Sequence, residues 1–129
     1  MSNALLVMVH GSPKPEANKE MFRVVEAFKR RPDAAAQFPI VEVGFMECNE
    51  PTIIEAVERC VARGASRVVA TPYFLHTGTH VCEDLPTLIE AAQDRHPTVE
   101  FLMGRYLGLT NALTPLLARR AQAALDGSS

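Results

Sequence analysis

Four histidines, His10, His76, His80 and His96, stand in a chain of 129 residues, and three of them follow short apolar runs. Ala4 to Val9 runs out into His10-Gly11-Ser12, and Arg67 to Thr71 leads into a long stretch, Pro72 to Pro86, that carries His76, His80, Glu83 and Asp84. A neutral imidazole is a metal ligand and a proton acceptor near neutral pH, so histidines at two such run ends predict a metal or proton-transfer site. Glu47, in Phe45-Met-Glu-Cys-Asn-Glu50, adds a carboxylate able to accept a proton, bind a metal or cap the following helix.

The remaining polar candidates have plainer readings. His76 and His80 are four apart, a spacing that puts two ligands on one face of a helix, but Gly78 between them argues for a loop. Glu83 and Asp84 are expected to cap a helix start, and His96, before Pro97, to complement a helix C-terminus. Cys48 and Cys82 are read as small buried hydrophobes despite lying near Glu47 and His80, and Cys60 as a packing residue on an apolar helix face. Gly11-Ser12 ahead of a helix offers backbone N–H groups to a phosphate, which keeps a phosphate-ester chemistry open. The chain has neither GxGxxG nor GxxxxGK[ST], so dinucleotide and Walker-type nucleotide binding lose their fingerprints.

Strands alternating with helices are needed to hold these residues. Ala4–Val9, Ile40–Phe45, Arg67–Phe74 and Val99–Met103 read as strands. The helices between them are marked by Met21, Val25 and Phe28, by Ile53, Val57, Cys60 and Val61 after Pro51, and by Leu85, Leu88, Ile89 and Ala92. A last helix is expected along Leu113, Leu116, Leu117 and Ala121, and the Ala-rich stretch after Asp33 reads as a connection. Such a succession predicts an α/β fold in three layers, a four-stranded parallel sheet with helices on both faces. Ligands of these sheets sit beyond the carboxyl ends of the strands. Every candidate falls there: His10, Glu47, His76 and His80, then Arg105 and Tyr106.

The totals suit one domain, taken as residues 1–125 with a polar tail at 126–129. An apolar fraction of 47% excludes wholesale disorder, and a formal charge of −2 gives no field to draw nucleic acid or a membrane surface. Three cysteines without CxxC spacing fit a reducing compartment. With no signal-like or membrane-length apolar run, a soluble cytoplasmic protein is expected.

Val9-His-Gly-Ser12, Phe45-Met-Glu47 with Glu50-Pro51, Pro72-Tyr-Phe-Leu75 with Gly78-Thr-His-Val-Cys-Glu-Asp-Leu-Pro86, and Gly104-Arg-Tyr-Leu-Gly108 together resemble the short sirohydrochlorin chelatases of the CbiX/SirB family. The resemblance spans nearly the whole chain, and the Gly78–Pro86 stretch is its specific part. It implies one lobe of a chelatase-like fold and a class II chelatase, a lyase that inserts a divalent metal into a tetrapyrrole without ATP. By motif, His10 and His80 correspond to the metal-facing histidines and Glu47 to an acidic position that helps with protons or metal, with His76 an added ligand or a loop residue. The implied substrate is sirohydrochlorin, on the way to cobalamin or sirohaem, with Co²⁺ first among the metals and Fe²⁺ or Ni²⁺ next. No organic cofactor is implied; the metal is itself a substrate. Where the family commonly has arginines, after His-Gly-Ser and between loop glycine and histidine, this chain has Pro13 and Thr79. Ser12, Lys14 and Arg105 are then the groups expected to hold the substrate's carboxylates. A carrier of metal or tetrapyrrole without turnover is the alternative. A chain that supplies one lobe is expected to act as a homodimer.

Overall fold

Ala4 to Val9 are all buried, as a strand covered on both faces must be. In the computed structural model, which describes residues 2–127, this run lies in strand β1 (Asn3–Val9), with β2 (Ile40–Phe45), β3 (Arg67–Pro72) and β4 (Glu100–Met103). All pairings are parallel and the order across the sheet is β2-β1-β3-β4. The four-stranded parallel sheet expected from the sequence is therefore present. The order reverses between β1 and β3, where open α/β sheets place their ligands.

Alternation sorts the strand side chains into two cores. Ala4, Leu6, Met8, Val68 and Ala70 pack with Ile53, Ala56, Val57 and Cys60 of α3 (Ile53–Ala62) and with Leu85, Ile89 and Ala92 of α4 (Leu85–Arg95). Leu5, Val7, Val9, Val41, Val43 and Phe45 face the other way and meet Met21, Val25 and Phe28 of α1 (Pro15–Lys29). Leu6, Met8 and Phe45 have no exposed surface; truncating such a residue to Ala costs about 2–5 kcal/mol, so these strands fix the positions of their own ends.

Local signals set the helix boundaries. Thr52 begins α3 with a reciprocal cap: its hydroxyl accepts from the Glu55 N–H at 3.1 Å, and its own N–H donates to the Glu55 carboxylate at 2.8 Å. Those bonds hold the Glu55 carboxyl below its ordinary range. Pro51, expected in the first turn, lies just before this cap and is joined to Glu50 by a cis peptide bond.

Two element expectations are corrected. The Ala-rich connection contains a short helix, α2 (Pro32–Gln37), because Pro32 opens it and alanine is the best helix former. β3 ends at Pro72, short of Phe74. The last helix, α5 (Thr114–Leu125), forms where expected, yet none of its residues is buried. The polar tail expected at 126–129 begins as α5 ends, and its residues 128–129 lie outside the described residues. No helix of the described residues is long and apolar enough to cross a membrane.

Candidate active site

The ladder between β1 and β2 continues past both strands. Met46 N–H donates to the Val9 carbonyl at 2.8 Å, and Glu47 N–H to the His10 carbonyl at 3.0 Å. His10 and Glu47 thus leave the sheet side by side. Gly11 permits the close approach: its φ is +95°, and a Cβ there would stand 1.9 Å from the Glu47 carbonyl oxygen. The Glu47 carboxylate meets His10 Nε2 at 2.6 Å. On the ring's other side, Nδ1 lies 3.1 Å from the Gly11 carbonyl. A carboxylate accepts and an imidazole nitrogen can do either, so one proton lies between Nε2 and Glu47.

His80 comes from the far side of the switch point. Beyond β3 the chain bonds back once to β1, through Tyr73 N–H to the Met8 carbonyl at 2.8 Å, and then loops outward. It returns in a π-helical turn, His80–Asp84, that runs directly into α4. Such wide turns are frequent at functional sites. This one leaves Leu85 fully buried while His80 stays exposed. The rings of His10 and His80 lie with centroids 5.1 Å apart and planes tilted by 50°. His80 Nδ1 meets the Asp84 carboxylate at 2.7 Å. The result is two imidazoles facing each other across the β1/β3 crevice, each with its own carboxylate. Both pairs are about half exposed.

The fold therefore brings together His10, Glu47 and His80, and adds Asp84. It does not add His76: among the described residues, no hydrogen bond, ion pair or ring contact ties that exposed loop histidine to the pair. Lys14 and Arg105 extend side chains from the same rim into solvent. The Ser12 hydroxyl accepts from the Lys14 N–H at 3.1 Å, and Asn18, buried at the start of α1, clasps Ser12 by both backbone groups. The Ser12 N–H donates to Asn18, which weakens the phosphate reading of this turn because that donor is already used.

Asp84 does not cap α4: its backbone is already helical where the π-helical turn passes into that helix, and its side chain turns to His80; exposed Glu83 makes no side-chain cap either. His96 closes α4 and binds Glu58 through Nε2 at 3.0 Å, a structural role as expected. Cys48 and Cys82 are exposed rather than buried, one in a left-handed turn at φ 70° and the other on the outer side of the π-helical turn. Cys60 is buried, and burial pushes its thiol up to about 12, so it stays protonated and inert. Asp84, read from the sequence as a cap, is the residue the structure adds to this cluster. Its spacing of four from His80 was the available signal.

Among the described residues, no three His, Cys, Asp or Glu side chains converge into a ready-made metal cage. Two facing imidazoles backed by carboxylates can still hold a divalent transition metal in part and accept protons. The site is thus a pair of histidine–carboxylate couples at the switch point of a four-stranded parallel α/β sheet.

The chain belongs to the CbiX family, whose model matches residues 4–124. It is 32% identical over 124 residues to the sirohydrochlorin cobaltochelatase of Priestia megaterium, an alignment covering 96% of this chain and 39% of that protein. Against the sirohydrochlorin cobaltochelatase of Sulfolobus acidocaldarius it is 31% identical over 122 residues, covering 95% of this chain and 92% of the relative. The structure matches the sirohydrochlorin chelatase SirB from Bacillus subtilis subspecies spizizenii in complex with cobalt at a TM-score of 0.86 and 30% identity, over 95% of this chain and 50% of SirB. It thus spans well under two thirds of several relatives it matches, including 39% of the Priestia cobaltochelatase and 54% of the Arabidopsis thaliana chloroplastic sirohydrochlorin ferrochelatase.

Proposed function

We propose that this protein inserts a divalent metal into sirohydrochlorin without ATP, with Co²⁺ the first candidate and Fe²⁺ or Ni²⁺ the alternatives. The observation that carries the reading is the His10–His80 pair, 5.1 Å between ring centroids at the sheet's switch point. Relatives named as cobaltochelatases and ferrochelatases support the substrate class. In this reading His80, and His10 once Glu47 lets go of it, hold the metal, and the remaining ligands come from water or the tetrapyrrole. Glu47 takes the pyrrole N–H protons displaced by the metal and passes them to water, joined by His10 only where His80 alone holds the metal. Imidazole suits these metals without binding them as firmly as a thiolate cage would. Ser12, Lys14 and Arg105, on the same rim, are the groups that would meet the substrate's carboxylates, and His76 is the reserve ligand.

The working form in this proposal is a cytoplasmic homodimer. An uncovered stripe on α5 and an uncovered groove on the sheet support it. Leu117 and Leu125 are 72% and 83% exposed. On the α1 side of the sheet, Leu5, Val7, Phe28, Val69, Tyr73 and Leu107 line an apolar groove of about 320 Å³. Leu102, the register partner of Val69, extends that face and is 44% exposed. A second copy of the chain would cover both surfaces.

The test is anaerobic absorption spectroscopy of sirohydrochlorin with Co²⁺, Fe²⁺ or Ni²⁺, comparing wild type, His10→Ala and His80→Ala with the rate without protein. Acceleration by wild type that both variants lose is the expected result and ranks the metals. No acceleration with any metal would remove the enzymatic reading, and retained binding in that case would identify a carrier.

A further inference from the structure

We infer that Asp84 is a positioning residue: it fixes the tautomer and orientation of His80 so that Nε2 presents its lone pair to the incoming metal. The inference rests on the proposal that His80 receives a metal, and it assigns a role to a carboxylate that neither strand-end placement nor helix capping explains.

The geometry carries it. Asp84 lies where the π-helical turn runs into α4, and its backbone is helical (φ −66°, ψ −48°), so it lacks the non-helical geometry from which an N-cap aspartate accepts an amide one turn on. It makes no such bond, and its Oδ2 lies 2.7 Å from His80 Nδ1. An ionised carboxylate offers acceptors only, so Nδ1 must carry the hydrogen and donate it. In the neutral ring that leaves Nε2 as the lone-pair nitrogen. No hydrogen bond or ion pair engages His80 Nε2 among the described residues. His10 differs, since its Nε2 already faces Glu47 at 2.6 Å. Of the two facing imidazoles, only His80 is held ready with an open nitrogen.

The π-helical turn makes the pair possible. His80 and Asp84 are its first and last residues, and the turn closes by a bond from the Leu85 N–H to the His80 carbonyl. Leu85, the first residue of α4, is fully buried against the core, so Asp84 is anchored through a packed residue and the helix that follows it. A ligand histidine oriented by a carboxylate through its second nitrogen is a stronger and better aimed ligand, and losing the carboxylate costs about 10–100-fold in metal affinity.

Long-range ¹H–¹⁵N correlation spectra of the imidazoles, recorded at pH 8 without metal, read the tautomer directly. Calorimetric titration with Co²⁺ alone reads the consequence. Wild type is expected to show His80 as the Nδ1–H tautomer. In Asp84→Asn, whose amide both donates and accepts, His80 is expected to populate the Nε2–H form, with Co²⁺ affinity about 10–100-fold weaker and an unchanged thermal midpoint. Asp84→Ala repeats the test without an amide, and His10 signals should stay in place in both variants. A wild-type His80 in the Nε2–H form, or variants that keep both tautomer and affinity, would overturn the positioning role alone. Wild-type protein that binds no Co²⁺ would overturn the metal reading and this inference with it.

Discussion

Glu47 Oε1 lies 2.6 Å from His10 Nε2, so the carboxylate occupies the nitrogen through which His10 would reach a metal in the crevice. A metal bound there displaces the shared proton and turns Glu47 free, whereas a metal held first by His80 leaves the His10–Glu47 pair intact to accept protons. The second order of events predicts that Glu47→Gln slows insertion by about 10²-fold while Co²⁺ affinity changes little. Single-turnover insertion rates beside calorimetric titration separate the two quantities. Equal loss of affinity and rate would make Glu47 a metal ligand instead.

Gly11 makes that contact possible and should not tolerate a side chain. Its φ of +95° is disfavoured for L-residues, and a Cβ would fall 1.9 Å from the Glu47 carbonyl oxygen, a backbone atom. Gly11→Ala is expected to lose at least about 1–2 kcal/mol from the backbone conformation alone and to push the Glu47 loop away from His10. Urea denaturation measures the first effect. Insertion by the folded fraction measures the second, and a variant as stable and active as wild type would show that the loops are not clamped as described.

The legibility of this chain divides along physical lines. Buried strands announce themselves by apolar runs, continuous in Ala4–Val9 and broken only by Glu42 and Gly44 in Ile40–Phe45, so both could be placed within a residue of β1 and β2. Their ends then located His10 and Glu47, because a parallel sheet sends all its strands to one rim. Side-chain partnership was less visible. Gly78 argues against a helical reading of the whole loop, although the helix begins only after it, and Asp84 reads as a cap because an aspartate just ahead of an apolar periodic run is a cap signal. Whether a carboxylate bonds an amide or an imidazole is decided by where the preceding turn places the ring, and a π-helical turn leaves no periodic trace in five residues. Exposure of Cys48 and Cys82 escaped for a similar reason: cysteine's usual burial gives no hint of a left-handed turn or an outward-facing position. The α5 helix was found by its leucines, but periodicity shows that a face is apolar and not what covers it.

Away from the crevice, Glu58 ties α3 to the end of α4 by accepting from His96 at 3.0 Å and Arg95 at 2.8 Å. The His96 hydrogen bond, with the charges of His96 and Arg95, holds the Glu58 carboxyl below its ordinary 4.5. A carboxyl lowered in the folded state stabilises fully above its unfolded value, and the contribution is lost as pH falls through the folded value. The pairs are partly exposed and solvent screening keeps them weak. Glu58→Gln should therefore cost about 0.5 kcal/mol at neutral pH. Urea midpoints of variant and wild type should converge as pH falls below the ordinary carboxyl range. A gap that persists there would assign the loss to packing rather than charge.

The exposed face of α5 gives the last expectation. A 12-residue helix is marginal by itself in water, and in this one Leu116 and Leu117 are 36% and 72% exposed while no residue is buried. Something must cover that stripe for the helix to persist in solution, and the proposed homodimer supplies it through a second copy whose sheet groove is equally uncovered. Leu117→Glu would forfeit about 2 kcal/mol of apolar burial per chain. Because a two-fold contact repeats every loss, the dimer's Kd should rise about a thousandfold. Light scattering across a concentration series reads this directly, with helical content by circular dichroism falling as the chains separate. A Leu117→Glu protein that stays dimeric would move the interface off α5, and a wild type that is monomeric throughout would leave the crevice to work within a single lobe.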